Sequence, residues 1–240
     1  MAEQEIIKHT KNLFNISARK DDSFLNKVKD FVLEILIIVF AITLSIWLHN
    51  WSEHRSEQRQ VKIFLTGLKG DIAQDLADCR NIIASLHYYD TAYTFLSNLT
   101  ADKRPDQDSL HQFVQILRSN NYLQPHKSRF DGFISSGKML QIESDSLVNN
   151  ILLYYQEGIP AIRASEGGWL SYQSTLLKYL VDNMKEKESD EFYYQLLAAP
   201  EGNYLCQHLI PWQQMYDRYR GFMSLGQTII SQIDKEYPEK

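Results

Sequence analysis

The chain has 240 residues, 44% of them apolar and 23% charged, with a formal net charge of −5. That length holds one sizeable core plus appendages, and 10 Gly, 6 Pro and 12% aromatic residues exclude low complexity and wholesale disorder. The acidic balance lacks the basic footprint of a nucleic-acid binder, so no nucleic-acid partner is expected.

Residues 1–30 read as a cytoplasmic tail carrying Lys8, Lys11, Arg19, Lys20, Lys27 and Lys29. Within it, Phe24, Leu25 and Val28 join Phe31 and Val32 at helical spacing, which predicts a short amphipathic helix along the inner membrane surface. From Phe31 to Leu48 the sequence is FVLEILIIVFAITLSIWL, with Glu34 as its single charge and no Gly or Pro. As a helix it is about 27 Å long, close to the hydrocarbon thickness of a bilayer. Trp47 and Trp51, with Asn50 between them, stand where amphipathic rings suit the headgroup level. No small-residue cleavage site follows, so residues 31–51 read as an uncleaved signal anchor. The six Lys and Arg before the span outnumber Arg55, Arg59, Lys62 and Lys69 after it. This bias puts the N-terminus in the cytoplasm and residues 52–240 outside it.

Beyond the span, Phe64, Leu65, Leu68, Ile72, Leu76, Cys79, Ile82, Ile83, Leu86, Tyr89, Tyr93 and Leu96 recur three or four apart, predicting one long amphipathic helix. Gly67 and Gly70 predict a bend in it or a close backbone approach. The string LTADKRPDQDS is a loop, and a second helix is expected over Ser109–Arg118. Then come a short helix, Gly137 in the left-handed conformation, and Ser144 or Asp145 capping a third long helix. Pro160 and the pair Gly167-Gly168 are expected to kink or divide that helix, whose periodicity continues through Trp169, Tyr172, Leu176, Leu177, Leu180 and Met184. Lys185–Asp190 reads as a charged turn, and Pro211 as the first turn of a last helix with Trp212, Met215, Tyr216, Tyr219, Met223, Ile229, Ile230 and Ile233 facing inward. The predicted fold is all-α: one N-terminal transmembrane helix followed by an antiparallel helical bundle of about four main helices.

The string from Glu34 to Arg55 (EILIIVFAITLSIWLHNWSEHR) resembles the N-terminal signature of an uncharacterised bacterial family of single-span proteins. In that family a glutamate opens the span and Asn-Trp-x-Glu, here Asn50, Trp51 and Glu53, closes it. FDGFISSGKMLQI and LVNNILLYY are similar to its second recurring stretch. The resemblance implies an inner-membrane protein with a helical extracytoplasmic domain and brings no established activity and no functional residues.

Glu34 is the first candidate for function, since a carboxylate inside a span is costly. It reads either as an ion-carrying group of a larger membrane complex or as a helix-start charge near the interface. Ser135 and Lys138 satisfy S-x-x-K, but the accompanying motifs and the α/β setting are missing. The seven histidines form no metal-binding spacing, and no metal or other cofactor is expected. Cys79 and Cys206 are the only candidate disulfide pair; a bond and two free thiols both remain open. The tyrosines read as core, or else as the lining of a cavity whose polar groups would be Arg163 and Glu166. The expected function is therefore non-enzymatic: a periplasmic sensing or scaffolding protein acting through a membrane or periplasmic protein partner or as a homo-oligomer. An accessory subunit of an ion-driven complex is the alternative, and an envelope-directed enzyme comes third.

Overall fold

The computed structural model describes residues 24–184 and 187–238, with side chains from residue 27 onward. The expected charges at Lys8, Lys11, Arg19 and Lys20, the side chains of Phe24 and Leu25, and the start of the Lys185–Asp190 turn lie outside the described residues. The described residues are helical, and their one β-type feature is the isolated bridge between Thr100 and Lys103. The chain divides into two compact units, Met1–Glu57 and Gln58–Lys240.

In the first unit, helix α1 (Phe24–Ser97) begins and carries the apolar segment. An 18-residue window there has a mean hydropathy of 2.6, and none of it is buried. Every large apolar side chain from Phe31 to Trp51 stands exposed. Thr43 returns its hydroxyl to the carbonyls of Val39 and Phe40, at 2.9 and 3.0 Å, so this polar group is satisfied within the helix.

In the second unit, α1 turns one stripe inward, from Val61, Leu65 and Leu68 through Ile72, Leu76 and Cys79 to Tyr93 and Leu96. It is followed by α2 (Gln107–Val114), capped by Asp106 and extended by a 3-10 turn, Gln115–Arg118. Next are α3 (Ser128–Ser135), a 3-10 turn at Lys138–Gln141, and α4 (Asp145–Leu152), whose N-cap is Ser144. A π turn (Leu153–Gly158) joins α4 to α5 (Ile159–Asp182). Pro160 has no N–H to offer the carbonyl four residues back, and the hydrogen-bond register widens just before it, with Ile159 donating to Tyr154. Finally come α6 (Asp190–Leu197), α7 (Pro200–Gln207) and α8 (Gln213–Glu236).

Side-chain pairs fix the directions. Lys62 meets the Pro238 carbonyl and Lys69 meets Asp234, both at 2.6 Å, while Gly226 faces Ile72 and Leu76, so α8 descends along α1. Asn150–Gln232, at 2.9 Å, and the ring of Phe222 against Gly158 set α8 against α4 and α5 as well. By contrast Tyr154 meets Asp75, and Trp169 stacks on Tyr89 with centroids 5.3 Å apart, so α4 and α5 ascend with α1. The long elements are thus three, two parallel and one antiparallel, where four antiparallel helices were expected. The expected second helix is short, and the stretch between α1 and α4 returns as brief helices and straps.

Several local expectations change. Gly67 and Gly70 do not break α1; the guanidinium of Arg129 lies over Gly67 where a side chain would stand. Gly167-Gly168 lies inside an unbroken α5, with Gly168 facing the Trp212 ring. Tyr172 and Met184 are exposed although they continue the apolar spacing. Pro211 precedes the cap of α8, because Trp212 holds the extended N-cap conformation. Helices α6 and α7 occupy a stretch for which no helix was expected.

Candidate functional site: a strap held by two buried carboxylates

Residues 119–127 link the 3-10 turn after α2 to α3 without helix or strand, and two buried acids hold them. Asp75 on α1 is 0% exposed. Its Oδ1 accepts the backbone N–H of His126 at 2.9 Å and lies 2.7 Å from His126 Nδ1, and its Oδ2 accepts the Tyr154 hydroxyl at 3.3 Å. Glu166 on α5, 6% exposed, accepts the Leu123 N–H at 2.8 Å and the Tyr219 hydroxyl of α8. Gln173, also buried, donates to the carbonyls of Leu117 and Ser119 at 3.1 and 2.8 Å. Of residues 119–127 only Leu123 is buried; backbone groups drawn against a core need partners, and α1 and α5 supply them.

The π turn takes part directly. It sets Tyr154 and Tyr155 side by side in the core, one donating to Asp75 and the other to the His126 carbonyl at 3.4 Å. Burial raises both phenols well above their ordinary range, so they remain donors. Burial also raises the Asp75 carboxyl, against the lowering pull of its hydrogen bonds from His126. The bond to Asp75 raises His126, whose side chain is 47% exposed. Along the same face of α1, Asp71 accepts Arg129 Nε at 2.9 Å, a contact that the bare Gly67 leaves room for.

Donor atoms of Asp75, Asp78 and His126 lie within 4.8 Å of one another, the spacing of a three-ligand cation set. Both oxygens of Asp75, however, already accept protein donors. An imidazole oriented through Nδ1 by a buried carboxylate also has the geometry of a general base, but the adjoining hydroxyls are committed, that of Tyr154 to Asp75 and that of Tyr155 to the strap. The arrangement is a clasp in which carboxylates on two helices fix a strap.

The residues singled out in the sequence fall in different places. Glu34, Trp47, Asn50 and Trp51 lie on the exposed apolar segment, with Glu34 the half-buried one. The Arg55 guanidinium lies over the Trp51 ring, 5.5 Å from its centroid. Arg163 is exposed, so it does not join Glu166 at a pocket. The recess beside Glu166, bounded by Tyr89, Trp169 and Met215, has a volume of only about 10 Å³. Tyr89, Tyr154, Tyr155, Tyr216 and Tyr219 are buried and act as core. The Ser135 hydroxyl donates to the Asp131 carbonyl and Lys138 donates to Gln60, so S-x-x-K is not a unit.

Cys79 and Cys206 are free buried thiols, and burial pushes each up to about 12. Cys206 lies on α7, where Asn203 donates to the Leu99 carbonyl at 3.1 Å. Leu99 is twenty residues past Cys79, about 30 Å in helical rise, far beyond the reach of a disulfide.

Asp75, Asp71 and His126 were not singled out in the sequence. Asp75 is three residues after Ile72 and four before Cys79, inside the apolar stripe; a charge in such a stripe is a signal that a buried partner waits for it.

Among the described residues these features define an all-α fold with one helix long and apolar enough to cross a membrane. Residues 34–162 match a family described as a family of unknown function, DUF6090, and the chain belongs to that family. The match opens at Glu34 and takes in the apolar segment, Asp75, His126 and Tyr154, while Glu166 and Tyr219 lie beyond it. No curated protein and no solved structure matches the chain.

Proposed function

We propose that the protein crosses a bacterial inner membrane once through residues 31–51, with its N-terminus cytoplasmic and residues 52–240 in the periplasm. There the helical domain acts without catalysis, sensing or scaffolding through a membrane or periplasmic protein partner or through a second copy. The observation that carries the span is the naked apolar surface from Phe31 to Trp51. Removing one large apolar side chain from water is worth about 1.5–3 kcal/mol, and a bilayer does so for the whole segment at once. The lysine and arginine bias supports the orientation. The engagement of Asp75 and Glu166 with backbone and tyrosine donors supports a structural use of the groups best suited to acid–base work.

The test is topology: reporters active only in the periplasm or only in the cytoplasm, fused after Lys240. A periplasmic signal is expected, and a cytoplasmic one overturns the orientation. A second reading makes the protein an accessory subunit of an ion-driven complex. It is favoured by Glu34, the one ionisable residue between Phe31 and Leu48. Under that reading Glu34→Gln abolishes activity of the complex, whereas the first reading expects it nearly intact.

A further inference from the structure

The 3-10 turn Lys138–Gln141 carries Leu140, which is 93% exposed. A lone exposed leucine is ordinary on a protein surface, but this one sits on a turn that is held in place. Gly137, at φ 72°, opens the turn; Gln58 Nε2 donates to the Gln141 carbonyl at 2.9 Å, and Lys138 Nζ donates to Gln60 Oε1 at 2.6 Å. The bond from Lys138 goes to a neutral amide, so it leaves the ammonium charge uncancelled. Ile63, 65% exposed, shares with Lys138 an open groove of about 360 Å³ floored by Phe64 and Phe133, whose rings stack with centroids 3.6 Å apart. An immobilised apolar tip beside a cation is the combination that amphipathic membrane surfaces use.

Chain connectivity limits where this tip can be. Gln58 follows Trp51 by seven residues, which in any conformation span no more than about 25 Å, roughly the thickness of one leaflet with its headgroups. If Trp51 marks the outer interface, the chain length sets an upper bound of that size on how far Gln58 can stand from it.

We propose that the Leu140 turn is a lipid-contact surface: Leu140 enters the headgroup layer of the bilayer that residues 31–51 cross, and Lys138 faces the lipid phosphates. Ile63 extends the apolar side of this contact. The inference rests on the reading of residues 31–51 as a span, and its test separates the two. The full chain carrying Leu140→Cys is spin-labelled and placed in nanodiscs of phosphatidylethanolamine and phosphatidylglycerol. Collision with lipid-soluble oxygen is then compared with collision with a water-soluble nickel chelate. The native Cys79 and Cys206 are buried and stay unlabelled in the folded protein. Ile38→Cys reports the span, and Tyr204→Cys, at an exposed position on α7, reports open water.

The expected result is nickel access at 140 about threefold below that at 204, with oxygen access between the values at 38 and 204. Water-like access at 140 with lipid-like access at 38 overturns the lipid contact and leaves the span standing. Shielding of 140 from both reagents overturns it too, since a second copy or another protein then covers the turn. Water-like access at both 38 and 140 removes both readings.

Discussion

Two stretches of α1 both carry large apolar residues and use them oppositely. Between Phe31 and Trp51 such residues occupy every face, all exposed, and a hydroxyl such as that of Thr43 turns back on its own helix. Between Val61 and Leu96 most of them form one inward stripe, with Ile63 and Tyr88 left exposed, and that stripe contains the fully buried Asp75. A uniform apolar surface suits a solvent that is itself apolar and offers no hydrogen bonds. A core built by packing helices together can accept a carboxylate, provided that neighbouring elements bring donors to it. Here the strap and the π turn bring them.

The sharpest way to break the comparison is to put a charge in each stretch. Ile38→Lys at the middle of the apolar segment is expected to cost about 3 kcal/mol of membrane insertion, and fractionation should show it as a marked loss from the membrane pellet. Val181→Lys, at an exposed position on α5, should leave fractionation unchanged. Equal behaviour of the two variants would mean that residues 31–51 are not held in lipid.

The converse change removes a charge from the core. Glu166→Ala leaves the Leu123 N–H and the Tyr219 hydroxyl without their acceptor, at an expected cost of about 3 kcal/mol. Chemical denaturation of the full chain in detergent measures it, and Glu166→Gln, which keeps one carbonyl oxygen, should lose less. An unchanged midpoint for the alanine variant would show that the strap does not depend on this acid. A smaller effect is expected where α8 packs against α1. A Cβ on Gly226 would stand 2.9 Å from a Leu76 methyl and 3.1 Å from both Ile72 and Tyr154, so Gly226→Val should cost about 2 kcal/mol through overpacking. Gly221→Val on the same helix meets no such neighbour and controls for helix propensity.

How much of this was legible follows from what each signal depends on. The α1 stripe and the Ser144 cap were readable because periodicity and capping are local, and Gly137 because a left-handed residue ends a helix wherever it falls. Helices α6 and α7 escaped notice because eight residues give too few turns for a period to register; the first-turn proline sought at Pro211 was Pro200 of α7 instead. Glu166 could be picked as a polar residue worth inspecting, but Arg163 lies off the stripe formed by Ile159, Ile162, Glu166 and Trp169 and faces outward. The partners of Asp75 and Glu166 could not be read at all, since backbone donors in the strap acquire them only when α1, α5 and α8 come together.

The finest probe of the clasp is its protonation. His126 titrates above its ordinary value because of Asp75, so its protonated form adds stability that is complete below about pH 6.5 and is lost as pH rises through its folded value. Asp75 is also raised, by burial, and acts in the same direction over a lower window that begins at its ordinary 3.8. Between pH 6 and 9 the histidine contributes the part of the change that its replacement removes, while the two buried thiols, raised from 9.0, begin to contribute toward pH 9 whether or not the imidazole is present. Because its ring is half exposed, and because the neutral ring still donates through Nδ1, the loss should stay below about 1 kcal/mol. His126→Asn keeps an N–H donor for Asp75 and removes the charge. The wild-type denaturation midpoint should therefore fall from pH 6 to pH 9 by more than that of the variant, with Asp71 and Asp78 common to both. Parallel profiles would show that the imidazole serves the strap as a hydrogen-bond donor alone, and that the contrast between the two stretches of α1 owes nothing to its charge.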